Sequence, residues 1–269
     1  MKKIILSLIV IMIISNAIVF FMGKMSRNYE DNVTVKLYEQ QLIAFSKNCE
    51  PLECTIIADF NRINKQDYTE NIKQIAESIR PILGYKNGAK IGITILNIVF
   101  EYGDFDSDQK LFFLDKIATL KYKDNDLYGM IDPILNYIQI ANESGDEFKI
   151  ASGELSLALA ISYFKGYEIS TQIIESILDN DESDSSTKWY RLKNQLMLSL
   201  AENNLAMGIP KEALKSLDMV ELSERVYDTE DWRDYNIYTL TLKSEAYIAL
   251  GQLDLAKDSL TIAKGRATA

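Results

Sequence analysis

The chain has 269 residues, of which 47% are hydrophobic, and a formal net charge of −10. That apolar content is sufficient for a packed core, so the chain is not disordered in bulk. The acidic balance argues against a nucleic-acid ligand, because neutralisation of phosphates supplies most of the affinity for such ligands. The sequence contains no histidine. This excludes Ser-His-Asp and Cys-His catalysis, metal sites built on His, and haem bound through His.

A long apolar segment, Ile4–Met22, lies near the N-terminus, and only three of its nineteen residues are polar. As a helix it would be about 28 Å long, at about 1.5 Å per residue, which is enough to cross a bilayer core. A cleaved signal peptide has a shorter apolar core followed by a small-x-small site, and neither feature is present. We therefore predict a retained transmembrane signal anchor in residues 1–23. A cleaved peptide and a buried core helix are the alternatives.

The side of the membrane on which the chain continues is predicted from the cysteines, because the positive charges flanking the segment are nearly balanced. Cys49 and Cys54 are the only two and lie in the sequence Cys-Glu-Pro-Leu-Glu-Cys. A loop of this size can bring the two sulfurs together, and a pair outside the cytosol indicates a disulfide. Two reduced, buried thiols are the alternative. With the bacterial source that the Met-Lys-Lys start favours, we predict a single-pass inner-membrane protein with its C-terminal domain in the periplasm.

Residues 24–66 are predicted to form a stalk helix and a linker that contains the cysteine loop. Lys24–Lys47 has apolar residues on one side of a helix, and it either continues the anchor or packs on the helices after it. Thr55–Lys65 is short and ambiguous between helix and strand.

Residues 67–145 are predicted to be a helical region. Tyr68–Leu83 has isoleucines at helical spacing, and Pro81 predicts a kink or an end near Arg80. Ala89–Tyr102 is almost entirely apolar. Its fourteen residues without a turn signal favour a core helix over a buried strand.

Three aspartates at alternate positions, Asp104, Asp106 and Asp108, have the spacing of a calcium loop. An EF-hand also requires Gly at the sixth position and Glu at the twelfth, where this chain has Gln109 and Asp115. Carboxylates that cap the next helix explain the same residues, and this is the interpretation we favour.

One helix-hairpin pattern recurs three times in residues 146–269. Small residues fall 43 positions apart in each copy: Ala158, Ala201 and Ser244 in the first helix, and Ser170, Ala213 and Ala256 in the second. Such residues let two helices approach closely, and a Gly or another turn former ends the first helix of the pair. Gln109–Leu120 and Leu127–Asn142 are predicted to form a further hairpin one period upstream, as a degenerate fourth repeat.

This pattern resembles the tetratricopeptide repeat (TPR) family, whose repeat is about 34 residues of helix–turn–helix. The residues that carry the resemblance are Ala201, Gly208, Ala213, Leu217, Ser244, Tyr247, Gly251, Ala256, Leu260 and Ala263. The resemblance implies an all-α fold, in which the N-terminal transmembrane helix is followed by an α-solenoid of TPR-like helix hairpins. The period is about nine residues longer than in the family, which predicts longer helices or longer loops at residues 179–184 and 223–234. Another α-solenoid or an irregular helical bundle would show similar spacing.

In TPR proteins the first helices of the hairpins line a concave groove that takes an extended peptide or a partner helix. By this resemblance, the candidate partner-binding residues of the groove are Tyr163, Glu202, Tyr238 and Glu245. The Lys/Asn clamp that some TPR domains use for a carboxylate does not match, since its positions hold Leu155, Leu159, Leu198, Glu202, Thr241 and Glu245. An acidic groove with aromatic residues suits a basic or amphipathic partner segment.

The sequence has no phosphate-binding loop and no dinucleotide fingerprint, and its paired acids lie in predicted loops. We therefore predict no enzymatic activity, no cofactor and no metal. The combined features predict a membrane-tethered protein–protein interaction scaffold, as an assembly or accessory subunit of a bacterial cell-envelope complex such as secretion, pilus or motility machinery. The alternative is a peptide-sensing or regulatory module of a signalling system, which usually carries an effector domain.

Overall fold

The computed structural model describes residues 27–179, 186–220 and 229–267, and within these ranges all regular structure is helical. The α-helices are α1 Arg27–Ser46, α2 Pro51–Phe60, α3 Tyr68–Ile79, α4 Gly88–Tyr102, α5 Ser107–Lys123, α6 Ile131–Ser144, α7 Glu147–Tyr163, α8 Tyr167–Asp179, α9 Thr187–Ala206, α10 Pro210–Asp218, α11 Thr229–Ala249 and α12 Leu253–Ala267. The chain divides into two compact units, the first ending at Asp126 and the second beginning at Leu127.

The first unit is organised around α4, against which α1, α3 and α5 pack. Ile91, Ile95 and Val99 lie on one face of α4 and are at most 1% exposed. Gly92 lets α3 approach closely, since a Cβ at this position would lie 2.6 Å from Cγ2 of Ile79. The apolar segment predicted as a core helix is therefore a core helix, and a strand is excluded.

Helices α1 and α2 contribute to the same core. Leu42 of α1 and Ile57 and Phe60 of α2 are buried in one cluster with the isoleucines of α3 and α4. The sequence left open whether Lys24–Lys47 continues the anchor or packs on the helices after it. The described part of this segment packs on those helices. The ambiguous segment after the cysteines is helical as far as Phe60, and Pro51 begins that helix, where proline costs no hydrogen bond.

A disulfide joins Cys49 and Cys54 across the start of α2, with the two Cα atoms 5.4 Å apart. Between them lies Glu53, whose side chain is fully buried. One carboxylate oxygen of Glu53 accepts a hydrogen bond from the backbone N–H of Glu50 at 3.0 Å. The other accepts one from the backbone N–H of Asn87, also at 3.0 Å. This carboxylate therefore fastens the disulfide loop to the turn that precedes α4.

Two predicted helix boundaries are confirmed. The carboxylate of Asp106 accepts a hydrogen bond from the backbone N–H of Gln109 at 2.8 Å, and the Gln109 side chain accepts one from the Asp106 N–H at 3.1 Å. This capping box begins α5, so Asp106 serves as a helix cap. At Pro81 the helical path changes, because α3 ends at Ile79 and a 3₁₀ turn, Arg80–Ile82, comes next.

The second unit contains the three predicted hairpins, α7–α8, α9–α10 and α11–α12, and α6 packs against α7. Helix α9 also packs on α8, and α11 packs on α10, so each of the first two hairpins is covered by the first helix of the next. The small residues of the 43-residue pattern are all at most 3% exposed: Ala158, Ala201, Ser244, Ser170, Ala213 and Ala256. Their burial at equivalent positions confirms the predicted hairpins. The degenerate fourth repeat stays a prediction, since its two helices fall in different units.

The three hairpin turns have the same backbone geometry. Lys165, Gly208 and Gly251 have left-handed φ values of 61°, 75° and 72°. In each turn the next N–H donates to the carbonyl five residues earlier, at 3.1, 2.8 and 2.8 Å for Gly166 to Ile161, Ile209 to Asn204 and Gln252 to Tyr247. This is the hydrogen bond of a Schellman-type helix end. The first turn uses a lysine where the other two use glycine.

Longer helices account for part of the about nine residues by which this repeat exceeds that of the TPR family. Helices α9 and α11 are 20 and 21 residues long, whereas α7 has 17. Of the segments predicted to hold longer loops, residues 180–184 and 223–228 lie outside the described residues, and residues 229–234 are helical because they begin α11.

In the part of the chain that the structure describes, no helix is both long enough and apolar enough to cross a membrane. The predicted anchor, Ile4–Met22, lies outside the described residues.

Candidate partner-binding groove

The four predicted groove residues lie on the first helices of the three hairpins. Tyr163 is the last residue of α7, Glu202 lies on α9, and Tyr238 and Glu245 lie on α11. Both tyrosines are 42% exposed, so each presents much of its ring to solvent. The two glutamates occupy equivalent positions, 43 residues apart, on neighbouring first helices.

The structure brings the two glutamates together. Burial raises the pKa of Glu202, and the negative charge of Glu245 raises that pKa further. Glu245 itself is exposed. A half-buried carboxylate beside a second carboxylate is stabilised by any cationic group that approaches both. This pair is therefore the chemically distinctive feature of the first-helix surface.

The helix that carries Glu202 is fixed by a buried hydrogen bond. Nδ2 of Asn203 donates to Oγ of Ser170 at 2.9 Å, and both side chains are at most 2% exposed. The bond links α9 to α8 of the preceding hairpin. Ser170 occupies the small-residue position that is Ala213 in the next repeat, so this polar contact replaces purely apolar packing there. Because buried polar groups need partners, the bond specifies how α9 sits on α8.

A second polar contact links the first helices of the last two hairpins. Nε2 of Gln195 on α9 donates to Oη of Tyr235 on α11 at 2.8 Å. Gln195 is one 43-residue period before Tyr238, so it belongs to the same register position as that candidate residue. Sequence reasoning missed both partners. The register identifies the position of Gln195, but only the packing of α9 beside α11 brings it to Tyr235.

The two tyrosines have different surroundings from the glutamates. Tyr163 lies about one helical turn beyond the glutamate position, at the end of the first hairpin's first helix, and Tyr238 lies about two turns before it on the third. Next to Tyr163, the ring of Phe164 contacts that of Tyr128, with centroids 4.7 Å apart. Tyr128 is 81% exposed. The exposed aromatic surface at this turn therefore includes two residues that sequence reasoning did not select.

The positions that would form a carboxylate clamp contain no cationic residue, and two of them lie in the core. Leu155 and Leu198 are each 4% exposed. Within the described ranges, no group of three or more Cys, Asp or Glu side chains is arranged to hold a metal ion.

No family model matches this chain, and no curated protein matches it. Among solved structures, a Podosopora anserina kinesin light chain with nearly identical TPR-like repeats aligns over 75% of this chain and 96% of that chain. The TM-score is 0.54 and the sequence identity 14%. The apo form of RapI aligns over 93% of this chain and 96% of its own, with a TM-score of 0.45 at 13% identity. That second likeness is too loose to add to the assignment.

The chain thus has the all-α fold of TPR-like helical repeats. At an identity of 14% the comparison shows the fold alone, because one fold serves many functions. What the repeats of this chain bind has to be argued from its own residues.

Proposed function

We propose that this protein is an interaction scaffold whose first-helix surface binds a basic or amphipathic segment of a partner protein. The observation that carries the proposal is the pair Glu202 and Glu245 on α9 and α11, in which burial, together with the neighbouring carboxylate, raises the pKa of Glu202. A lysine or arginine of a partner placed between them would offset their repulsion and stabilise the ionised form of Glu202.

The exposed tyrosines supply the apolar part of this surface. Tyr163 and Tyr238 have large rings with few rotatable bonds, so they can bury area on a partner at low entropic cost. A segment with apolar residues on one side and basic residues on the other would satisfy both kinds of contact. A purely acidic segment would be rejected by the glutamates.

We further propose that Ile4–Met22 tethers the scaffold to the bacterial inner membrane, with the repeats in the periplasm. The support is the length and apolarity of that segment, together with a disulfide at Cys49 and Cys54, which persists in oxidising compartments. In that setting the scaffold would act as an assembly or accessory subunit of a cell-envelope complex.

The groove is tested by photocrosslinking in native membranes. A photoreactive phenylalanine analogue replaces Tyr238, and the captured partner segment is identified by mass spectrometry. The same capture is then repeated with Glu202→Lys and Glu245→Lys. We expect both charge reversals to abolish capture. Glu175→Lys is the matched control, because Glu175 is an exposed glutamate on the second helix α8. Capture that persists with both reversals, or a captured segment that is acidic, would refute the groove assignment.

The membrane arrangement is tested separately by protease accessibility of the repeats in spheroplasts and in inverted membrane vesicles. We expect cleavage in spheroplasts and protection in inverted vesicles. Cleavage in the inverted vesicles would place the repeats in the cytosol and remove the basis for the envelope proposal, without bearing on the groove. Capture of a signalling enzyme at Tyr238 would favour the regulatory alternative.

A further inference from the structure

The last hairpin that the structure describes, α11–α12, exposes an apolar surface that is buried in the two preceding hairpins. Ile174, Leu217 and Leu260 are equivalent residues on the second helices α8, α10 and α12, each 43 positions apart. Ile174 and Leu217 are 0% and 1% exposed, whereas Leu260 is 45% exposed. The same sequence position is therefore core in two repeats and surface in the third.

The structure also shows what covers this position in the earlier repeats. Ile174 packs in one cluster with Leu192 and Leu196 of α9, and Leu217 packs in one cluster with Leu242 of α11. In both cases the cover is the first helix of the next hairpin. Leu192 and Leu196 are four residues apart and so lie on one face of their helix. The shape that fits this surface is thus an α-helix with large apolar residues at that spacing.

Around Leu260 the exposed surface forms a shallow groove on the α11–α12 hairpin. Its apolar lining includes Ile248 and Leu253, which are 53% and 66% exposed. The charged residues that line it are Lys257 and Lys264. Among the described residues no acidic side chain lines this groove, although the chain as a whole has a net charge of −10. The local charge is therefore the reverse of that of the whole protein and of the Glu202–Glu245 pair.

We propose that this end surface, defined by Ile248, Leu253, Lys257, Leu260 and Lys264, docks an amphipathic α-helix of another protein that carries acidic residues beside its apolar face. The helix would take the place that α9 and α11 occupy on the earlier hairpins. Its carboxylates would approach the two lysines, which adds charge complementarity to apolar burial.

A second copy of this chain fits the surface less well. In a symmetric dimer the same patch meets itself, so the lysines of one protomer would lie near those of the other. Like charges at close range oppose association. The proposed site is also separate from the first-helix groove, since its lining residues are predominantly on the second helix α12 and its charge has the opposite sign.

The test uses full-length protein in detergent and two labelled 20-residue peptides, with binding followed by fluorescence anisotropy. The basic peptide has the sequence of α9. The acidic peptide is identical except that glutamate replaces Lys188, Arg191 and Lys193, so both keep the same leucines. We expect the acidic peptide to bind at least about tenfold more tightly, and the difference to shrink as salt concentration rises.

Three protein variants locate the binding. Leu260→Ser should weaken binding of the acidic peptide by at least about tenfold, and Lys257→Glu should reverse the preference between the two peptides. Ile262→Ser is the matched control, because Ile262 is 49% exposed on the same helix but points about 200° away from Leu260. It should leave binding unchanged. Circular dichroism checks that each variant is folded.

Several results would overturn this proposal. They are equal affinities for the two peptides, no binding of either, and equal losses from Leu260→Ser and Ile262→Ser. A dimer in sedimentation velocity that Leu260→Ser dissociates would assign the surface to self-association instead. Glu202→Lys should not affect binding of the acidic peptide. Tighter binding with that variant would mean that the acidic peptide occupies the first-helix groove, where the substitution removes a repelling charge, and the end-surface proposal would fail.

Discussion

Replacing glycine by alanine at different positions of the second unit isolates the effect of a left-handed backbone conformation on stability. Gly208 and Gly251 have left-handed φ values, whereas Gly265 lies within α12. At all three positions an added Cβ would meet no heavy atom within 4 Å. Clash with other parts of the protein therefore contributes nothing, and a substitution by alanine reports on the local backbone conformation alone.

The sign of the effect should differ between these glycines. An L-residue in the left-handed region costs about 1–2 kcal/mol, and alanine restricts the unfolded chain, which offsets about 0.4–1 kcal/mol of that cost. Gly208→Ala and Gly251→Ala should each lower the free energy of unfolding by about 1 kcal/mol. Gly265→Ala should raise it by about 0.5 kcal/mol, because glycine is unfavourable in a helix. Lys165→Gly should also raise it, since this lysine already has the left-handed conformation.

Urea denaturation followed by tryptophan fluorescence measures the stability of the unit that contains the substituted residues. The two tryptophans, Trp189 and Trp232, both belong to the second unit. A change of about 1 kcal/mol moves the urea midpoint by about 0.5 M when the slope is about 2 kcal/mol per M. If Gly208→Ala and Gly265→Ala shifted the midpoint in the same direction, the left-handed turn would not be the reason for the glycine, and the turn assignment would be wrong.

Three further changes test other parts of the structure. Ala213→Leu should destabilise the second unit by about 1–3 kcal/mol, because Ala213 is fully buried between helices; the exposed Ala206→Leu is the control, and equal midpoints would contradict the close packing. Glu53→Gln should cost about 1–3 kcal/mol, since its amide nitrogen cannot accept the hydrogen bond from Glu50 or Asn87; chemical denaturation followed by circular dichroism should detect this, and an unchanged curve would mean that the buried carboxylate is not needed. Because the pKa of Glu202 is raised on folding, the native state holds its proton more tightly than the unfolded state does. The free energy of unfolding should therefore rise as pH falls through the folded pKa towards the ordinary glutamate value, and Glu202→Gln should remove that contribution and stabilise the protein at neutral pH. Identical pH profiles for the two proteins would refute the raised pKa.

Most of the repeat architecture could be predicted because small residues and turn formers have a direct steric meaning. Ala158 and Ala201 predict close approach of two helices wherever they recur in register, and the structure buries both completely. The requirement for glycine in a left-handed turn is also a local effect, so Gly208 and Gly251 predict helix ends. Lys165 was weaker evidence, since nothing in a lysine indicates a left-handed conformation; only its position 43 residues before Gly208 does.

The candidate site was predicted less completely. The 43-residue period alone identified Glu202 and Glu245 as equivalent positions. The hydrogen bonds from Gln195 to Tyr235 and from Asn203 to Ser170 depend on how one helix rotates and slides against its neighbour. Because this rotation and sliding depend on all the contacts between the two helices, no local sequence pattern predicts which polar side chains will form these bonds. The buried Glu53 was missed for the same reason, because its partner Asn87 lies 34 residues away.

The sequence by itself determined the helical class, the three-hairpin period, an aspartate cap at the start of α5 and the turn glycines, because each depends on contacts within one or two helices. Tertiary structure decided which surfaces those helices leave open. Leu217 and Leu260 occupy the same place in the repeat, and only the presence of α11 over the first of them makes one core and the other surface. Burial is a property of the neighbours that a residue acquires in the fold, and the identity of the residue does not specify them.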